Sequence, residues 1–206
     1  MASQPKPAAR PNEPRQRNKR GEGVKLRKMI IDAAEALLEE SGTETAVTIR
    51  AVTRKAGIAP QSFYLQFPSL SSLLFALYQR GFEALHARLI SATDSVTDPK
   101  SRLWAASMAY VDFALENSGA YRTLMSSHGA QHPDWNPKKL PGTGTLTLLR
   151  DLLQAADKTI GQNPADLHIE TTLLWTQLHG IAILMIDRPT FPWPPVRDLI
   201  RHTLHK

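Results

Sequence analysis

Apolar residues recur every three or four positions along most of the chain, which is the spacing of one face of an α-helix. The clearest stripe runs through Met29, Ile30, Ala33 and Leu37, with glutamates lying off it. The sequence shows no convincing run of alternating apolar and polar residues and no internal repeat. The pattern therefore predicts an all-α fold.

Capping residues, glycines and prolines set the expected boundaries of the first four helices. We predict a first helix over residues 24–42 and a short second helix capped by Thr48. A third helix of about two turns should span residues 60–66. The long fourth helix should follow the cap residue Ser69.

Five further helices are predicted beyond a linker-like break at residues 91–100. Asp98-Pro99 and Asn163-Pro164 each combine a cap residue with a first-turn proline, so they should open the fifth and eighth helices. The expected ranges of helices five to nine are about 99–116, 120–127, 143–160, 164–186 and 196–205. A Pro/Gly-rich loop separates the sixth helix from the seventh.

The segment between the second and third predicted helices has the form of a helix-turn-helix. Gly57 suits a corner that needs positive φ, and Ile58 would pack the two helices together. The second helix of such a unit presents small polar side chains to base edges. Gln61 offers a donor and an acceptor suited to adenine, Ser62 suits either purine, and the Tyr64 hydroxyl suits a phosphate oxygen.

The alternative for this corner is two packed helices that bind no ligand. Phe63 and Phe67 lie four residues apart and should face the core under either interpretation. The cations Arg50, Arg54 and Lys55 on the preceding helix favour DNA.

Positive charge is concentrated at the N-terminal end. Residues 1–28 carry nine Lys or Arg and two Glu, whereas the whole chain has a net charge of +6. We expect residues 1–23, with four prolines and two glycines, to form a disordered basic arm. Such an arm on a nearly neutral body suggests contact with a polyanion; a solubilising tail is the alternative.

Residues 26–74 resemble the N-terminal domain of the TetR/AcrR family of bacterial transcriptional regulators. The matching stretches are MIIDAAEALLEESG (29–42), VTIRAVTRKAGIA (47–59) and SFYLQFPSLSSLL (62–74). The resemblance implies that the third helix is the recognition helix and that phosphates are contacted at Thr48, Tyr64 and the start of the fourth helix. The complete set of candidate DNA-binding residues is Thr48, Arg50, Lys55, Ala59, Pro60, Gln61, Ser62, Tyr64, Gln66 and Ser69.

Three positions depart from the family pattern. The family often has Ser or Thr at the position of Ala59, so one helix cap is missing here, and His or Tyr at the position of Gln66. It usually has Lys at the position of Leu70, so a phosphate contact is lost. Ser69 and the amides at the start of the fourth helix could still bind a phosphate, and the basic arm could compensate.

We interpret residues 24–70 as the DNA-binding domain and residues 71–206 as a domain for ligand binding and dimerisation. Large side chains beyond residue 100 are each expected in the core, but together they could line an apolar cavity. The candidate ligand-binding residues are Trp104, Met108, Phe113, Tyr121, Met125, Trp175 and His179. For His179 the alternative is a hydrogen-bonded core histidine. The segment LLWTQLHGIAIL also resembles the C-terminal domain of a TetR subgroup, which implies small-molecule sensing.

The predicted eighth helix is apolar nearly all round, so it must be covered on every side. We predict a homodimer in which helices eight and nine pack against those of a second copy. Two recognition helices about 34–36 Å apart would then enter successive major grooves of a pseudo-palindromic operator in double-stranded DNA.

These observations point to a cytoplasmic repressor that is released from DNA by a small apolar or aromatic molecule. Alternatives are a constitutive DNA-binding protein without an inducer and a protein-interaction adaptor. The absence of cysteine excludes thiolate nucleophiles and cysteine zinc sites. The sequence has no run of 18 apolar residues, so we expect no membrane span.

Enzymatic activity, a metal and a cofactor are not expected. His128 and His132 lie in the Pro/Gly-rich loop without helical register, and His168 and Glu170 are two apart on a predicted helix and face different ways. The sequence contains no phosphate-binding glycine loop followed by lysine.

Overall fold

The computed structural model describes residues 22–125, 141–159 and 163–204. Within these ranges it contains helices and no strand, which confirms the all-α prediction. Most of the predicted basic arm lies outside the described residues. So do His128, His132 and most of the Pro/Gly-rich loop that contains them.

The described residues form nine α-helices and one short 3-10 helix. The helices are α1 Glu22–Ser41, α2 Ile49–Ala56, α3 Pro60–Tyr64, α4 Leu70–Thr93, α5 Pro99–Glu116, α6 Ser118–Leu124, α7 Thr143–Ala156, α8 Pro164–Asp187 and α9 Val196–Leu204. The 3-10 helix at Glu44–Ala46 was not predicted, because three residues are too few to show a period.

Helix starts follow the predicted caps. The Thr48 and Ser69 hydroxyls each accept a hydrogen bond at 3.1 Å, from the backbone N–H of Ala51 and Ser72 respectively. The same arrangement, followed by a first-turn proline, opens α5 and α8. Gly57 ends α2 with φ of 66°, the left-handed conformation that its lack of a Cβ permits.

Several predicted boundaries differ from the structure. Helix α1 begins at Glu22, inside the segment predicted to be a disordered arm, and α7 ends at Ala156, about four residues before its predicted end. Helix α6 lies at Ser118–Leu124, two to three residues earlier than predicted. Helix α3 ends at Tyr64, so Gln66 lies beyond it.

Helix α4 continues to Thr93, into the segment that has the composition of a linker. Leu89 and Thr93 are both buried, and the Thr93 hydroxyl donates to the Leu89 carbonyl at 3.2 Å. Packing therefore extends the helix beyond the point where composition predicts its end.

Two apolar cores share α4. The N-terminal core joins α1, α2 and α3 to the first half of α4, with Phe63 and Phe67 buried as predicted and Leu73 beside them. The C-terminal core joins the second half of α4, through Leu85 and Leu89, to helices α5 to α9. The domain boundary near residue 70 remains a prediction, because α4 begins there and contributes to both cores.

Helix α6 docks onto the end of α1. A Cβ at Gly119 would overlap the backbone carbonyl of Leu38, so the two helices meet with their backbones in contact. The Ala120 backbone N–H donates to the Glu39 carboxylate at 3.0 Å. The N-terminal core is thus attached to the C-terminal bundle through α6 as well as through α4.

Helix α8 is only partly covered by the rest of the chain. It packs against α5, α7 and α9. Among the described residues it is the one helix that is long and apolar enough to cross a membrane by length and composition, and 22% of its apolar stretch is buried within the chain. Ile169, Leu173 and Leu184 are nevertheless 54%, 45% and 49% exposed.

Candidate DNA-binding surface and ligand cavity

Helices α2 and α3 meet at a tight corner. The Ile58 backbone N–H donates to the Thr53 carbonyl at 3.0 Å, which closes the turn around Gly57. The Ile58 side chain packs against the N-terminal core, as the sequence predicts. This corner holds α2 and α3 as a helix-turn-helix.

Helix α3 has one buried and one open side. Phe63 is fully buried, whereas Gln61 and Tyr64 are exposed and Ser62 is half-buried. Tyr64 has 57% of its surface exposed while its ring packs edge-on against Phe63, with ring centroids 5.5 Å apart. The core contact therefore fixes the helix, and its polar side chains stay available to a partner.

Thr48 and Ser69 lie exposed at the N-termini of α2 and α4. A helix N-terminus carries partial positive charge and unpaired backbone N–H groups, which favour an anion such as phosphate. Each hydroxyl already accepts a backbone hydrogen bond as a cap. Its hydrogen can still be donated, for Ser69 in competition with the Ser72 hydroxyl 2.9 Å away.

The cations of α2 differ in their surroundings. Arg50 and Arg54 are exposed. The Lys55 ammonium lies 2.6 Å from the Glu40 carboxylate on α1, and 30% of its side chain is exposed. Lys55 is therefore the weaker candidate for a phosphate contact, since its charge is partly balanced within the domain.

The departures from the family pattern have structural consequences. Ala59 occupies the N-cap of α3 and makes no side-chain cap bond, and Pro60 follows at the first helical position. Gln66 is half-buried, and its backbone carbonyl accepts a hydrogen bond from the Arg27 guanidinium at 3.3 Å. Leu70 packs against the N-terminal core, so it replaces a charge with apolar contact.

Sequence reasoning missed Leu65 on this surface. Its side chain is 65% exposed beside Tyr64. An apolar side chain in a major groove can contact the methyl group of thymine. The sequence does contain a sign of this exposure, since Leu65 lies away from the helical face that carries Phe63 and Phe67.

A cavity of about 250 Å³ lies between α4, α5, α7 and α8. Of the candidate ligand-binding residues, Met125 and Trp175 line it. Phe82 and Leu85 supply apolar wall from α4, and Tyr110 from α5 adds a hydroxyl. This cavity is therefore the one that two of the predicted residues share.

A chain of polar groups runs behind the cavity. The Trp175 indole N–H donates to the Tyr110 hydroxyl at 3.1 Å, and the Tyr121 hydroxyl donates to the same oxygen at 3.0 Å. His179 Nδ1 lies 2.8 Å from the Tyr121 hydroxyl, and its ring stacks on Trp175. His179 is thus a hydrogen-bonded core histidine, one of the two roles considered from sequence.

Burial keeps this chain of polar groups neutral. It raises the pKa of the Tyr110 and Tyr121 hydroxyls and lowers the pKa of His179. Desolvation disfavours the charged form of each group. All four members therefore act as neutral hydrogen-bonding groups near pH 7.

The other candidates lie elsewhere. Trp104 lines a second cavity, of about 630 Å³, between α5, α7, α8 and α9, whose wall includes the charged residues Lys100 and Glu170. Met108 packs against the C-terminal core and Phe113 lies within it. Neither residue lines either of these two cavities.

Most of the described residues that line the first cavity were not among the candidates, and Tyr110 and Thr145 are two of these. Tyr110 accepts both hydrogen bonds at the centre of the polar chain, and Thr145 lines the cavity from α7. No spacing or motif marks either one, because the cavity around them is formed by residues from other helices. Among the described residues, no group of three His, Asp or Glu could hold a metal ion.

Two family models match the chain. Residues 30–77 match "Bacterial regulatory proteins, tetR family", and residues 103–205 match "Tetracyclin repressor-like, C-terminal domain". Both describe regulatory proteins, in agreement with the prediction that the chain is not an enzyme. The presence of both also agrees with the predicted order of a helix-turn-helix followed by a helical bundle.

Individual proteins show the same similarity. The HTH-type transcriptional regulator YobS of Bacillus subtilis (strain 168) is 34% identical over 100 residues, which cover 48% of this chain and 50% of YobS. The chain thus spans about half the length of that relative.

Solved structures share the fold. A protein of unknown function from Rhodococcus sp. RHA1 has a TM-score of 0.71 at 24% identity, covering 87% of this chain and 90% of its own. A TetR family regulator from Marinobacter aquaeolei VT8 has a TM-score of 0.66 at 13% identity, covering 90% and 97%.

Proposed function

Since the chain belongs to the TetR family of bacterial regulatory proteins, we propose that it is a cytoplasmic DNA-binding repressor that acts as a homodimer and is released by a small molecule. The observation that carries the proposal is the two-sided α3. Its Phe63 is buried in the core while Gln61 and Tyr64 face outward from a glycine corner. Such a helix can enter a major groove without losing its own packing.

We propose that different residues contact the bases and the phosphates of the DNA. Gln61, Ser62 and Leu65 would read base edges and methyl groups, because they lie on or next to the open part of α3. Thr48, Ser69 and Tyr64 would set the register on phosphates, supported by the helix N-termini of α2 and α4. Arg50 would add a salt-dependent contact.

A second copy of the chain would cover the exposed stripe of α8. Ile169, Leu173, Thr176, Gly180 and Leu184 follow one another at spacings of three or four residues, so they lie on one face. A Cβ built at Gly180 meets nothing within 4 Å, which leaves room for the close approach of another helix. A second copy packed on this stripe would form a dimer that carries two recognition helices, one α3 from each copy.

The coupling between ligand and DNA would run through Leu124. This residue lines the first cavity, and its side chain occupies the space beside Gly81 of α4, where a Cβ would overlap it. Leu124 also belongs to α6, which abuts the end of α1. A molecule that displaces Leu124 would therefore shift both α4 and α6, the two helices that attach the helix-turn-helix to the C-terminal bundle. It would release DNA only if it binds the DNA-free arrangement more tightly than the DNA-binding one.

The main alternative is a constitutive DNA-binding protein without an inducer. A filled core without voids would favour that alternative. The cavity of about 250 Å³ supports the inducible protein instead.

The test uses fluorescence anisotropy with duplexes from the region upstream of the gene for this protein. We expect Gln61→Ala to weaken binding roughly 10- to 100-fold and to relax preference at one base pair, because a base contact is lost. Gln154→Ala, an exposed glutamine on α7, is the matched control and should bind as the wild type does. Equal affinities for the two variants would contradict the placement of α3 in the groove.

A further inference from the structure

We infer that the cavity between α4, α5, α7 and α8 takes an uncharged molecule of single-ring size that carries an oxygen acceptor, bound by the hydroxyls of Tyr110 and Thr145. The inference rests on the proposed function, in which this cavity is the effector site, and it specifies the chemistry of the effector. Four observations carry it: the volume, the absence of charge, and the state of each hydroxyl.

The volume sets the size of the molecule. The cavity measures about 250 Å³. An engineered apolar cavity of about 150 Å³ holds benzene, and pockets for drug-sized ligands begin near 300 Å³. One ring with a short substituent fits between these limits.

The described part of the cavity wall carries no charged side chain. Among the described residues that line the cavity there is no Asp, Glu, Lys or Arg, and Phe82, Leu85 and Leu146 provide apolar surface. A buried ion without a partner is strongly disfavoured. The described part of the wall therefore favours a neutral ligand, in contrast to the second cavity with Lys100 and Glu170.

The Tyr110 hydroxyl has a hydrogen to give. A hydroxyl has two acceptor positions and one hydrogen. Both acceptor positions are used, by the Trp175 indole N–H and by the Tyr121 hydroxyl, in the tautomer in which His179 Nδ1 donates to Tyr121. Among the described residues nothing accepts the remaining hydrogen, so a ligand oxygen can.

The Thr145 hydroxyl supplies the independent second sign of a ligand. Thr145 lines the cavity and is only 3% exposed. Its Oγ1 is buried and has no hydrogen-bond partner in the described part of the chain. An unpaired buried hydroxyl destabilises a protein, so its presence in this wall is explained by a ligand that pairs with it.

The experiment compares three probes of one shape by NMR titration of the 15N-labelled full chain without DNA. Acetophenone carries the carbonyl, α-methylstyrene replaces its oxygen by a methylene group, and benzoate carries a charge. We expect acetophenone to bind about 10-fold more tightly than α-methylstyrene, and benzoate to bind at least about 100-fold more weakly than acetophenone. Equal affinity of the first two, or tightest binding of benzoate, would overturn the inference.

Thr145→Val gives a second readout that does not depend on a successful ligand. The valine keeps the shape and removes the unpaired hydroxyl, so we expect the ligand-free melting temperature to rise by about 2–4 °C while the preference for acetophenone falls. Thr171→Val is the matched control, because that buried hydroxyl donates to the Leu167 carbonyl at 2.7 Å and lines neither cavity. It should keep the preference and gain no stability. A lower melting temperature for Thr145→Val would contradict the inference.

A third arm separates this inference from the proposed function. DNA affinity is measured by anisotropy with and without acetophenone. Selective binding of acetophenone without any change in DNA affinity would refute effector control and leave the cavity chemistry standing. Release of DNA by a probe that binds equally well to the wild type and to Thr145→Val would refute the cavity chemistry and leave effector control standing.

Discussion

Four neutral side chains form the buried chain of polar groups behind the cavity, and each is hydrogen-bonded to the next. Trp175 and Tyr121 both donate to Tyr110, and Tyr121 in turn contacts His179. Removing any hydroxyl leaves a buried donor without a partner, which costs about 1–3 kcal/mol. At the scale of single residues, this chain therefore holds α5, α6 and α8 in one arrangement around the cavity.

We predict that acid destabilises the protein partly through His179. Burial lowers its pKa below the ordinary value of 6.5, so the unfolded chain binds the proton first and stability is lost as the pH falls through about 6.5. His179→Gln should show a smaller drop in melting temperature between pH 7.5 and pH 5.5 than the wild type. His168→Gln, exposed on the same helix, is the control and should retain the wild-type drop. Identical pH dependence in all three proteins would contradict this assignment.

Close contacts at two glycines link one helix to the next. Helix α6 lies against the end of α1 at Gly119, and α4 accommodates Leu124 at Gly81. These two contacts connect the C-terminal bundle to the N-terminal core at separate points. At the scale of elements, the position of the helix-turn-helix is therefore set by how α4 and α6 pack.

Gly119→Ala should disturb the first of these contacts. The added Cβ meets the backbone carbonyl of Leu38, which cannot move without shifting α1. We expect a loss of roughly 1–3 kcal/mol in the free energy of unfolding, measured with urea. Gly144→Ala on α7 is the control, since its Cβ would make only ordinary contacts with His86 at 3.6–3.8 Å, and alanine favours a helix. Equal effects of the two substitutions would show that the α1–α6 contact is not tight.

Within the described part of the molecule, a single copy leaves the polar side of α3 and the apolar stripe of α8 open. The first is suited to DNA and the second to another copy of the chain. A dimer through α8 would link the two functions, because two copies of α3 read DNA only when their spacing is held. At this scale, dimerisation and DNA affinity should change together.

Leu173→Glu should separate the dimer into monomers. The charge would lie within the stripe of α8, where Leu173 is 45% exposed in the single chain. Light scattering after size exclusion should give about twice the 22.9 kDa chain mass for the wild type and the chain mass for the variant. Operator affinity should fall with it. Ile90→Glu, an exposed apolar position on α4, is the control and should remain dimeric. A monomeric wild type would contradict the proposed dimer.

The helices and the corner were predictable from sequence because their signals are local. Thr48, Ser69 and Asp98 bond to backbone groups within three residues, and Gly57 acts through its own φ. The pairing of Phe63 with Phe67 needs only one helical turn. Such signals depend on neighbours along the chain, so the order of the elements and the polar side of α3 followed from the residues themselves.

The cavity and its chemistry were decided by tertiary structure. Tyr110 meets Trp175, 65 residues away, and Lys55 meets Glu40, 15 residues away. Neither pair is marked by spacing, because the contact depends on how two helices are rotated and crossed. The unpaired Thr145 is visible only once α7 packs against α4 and α5. Local backbone preferences thus determined the helices of this protein, whereas the packing of side chains from distant segments determined the space between them.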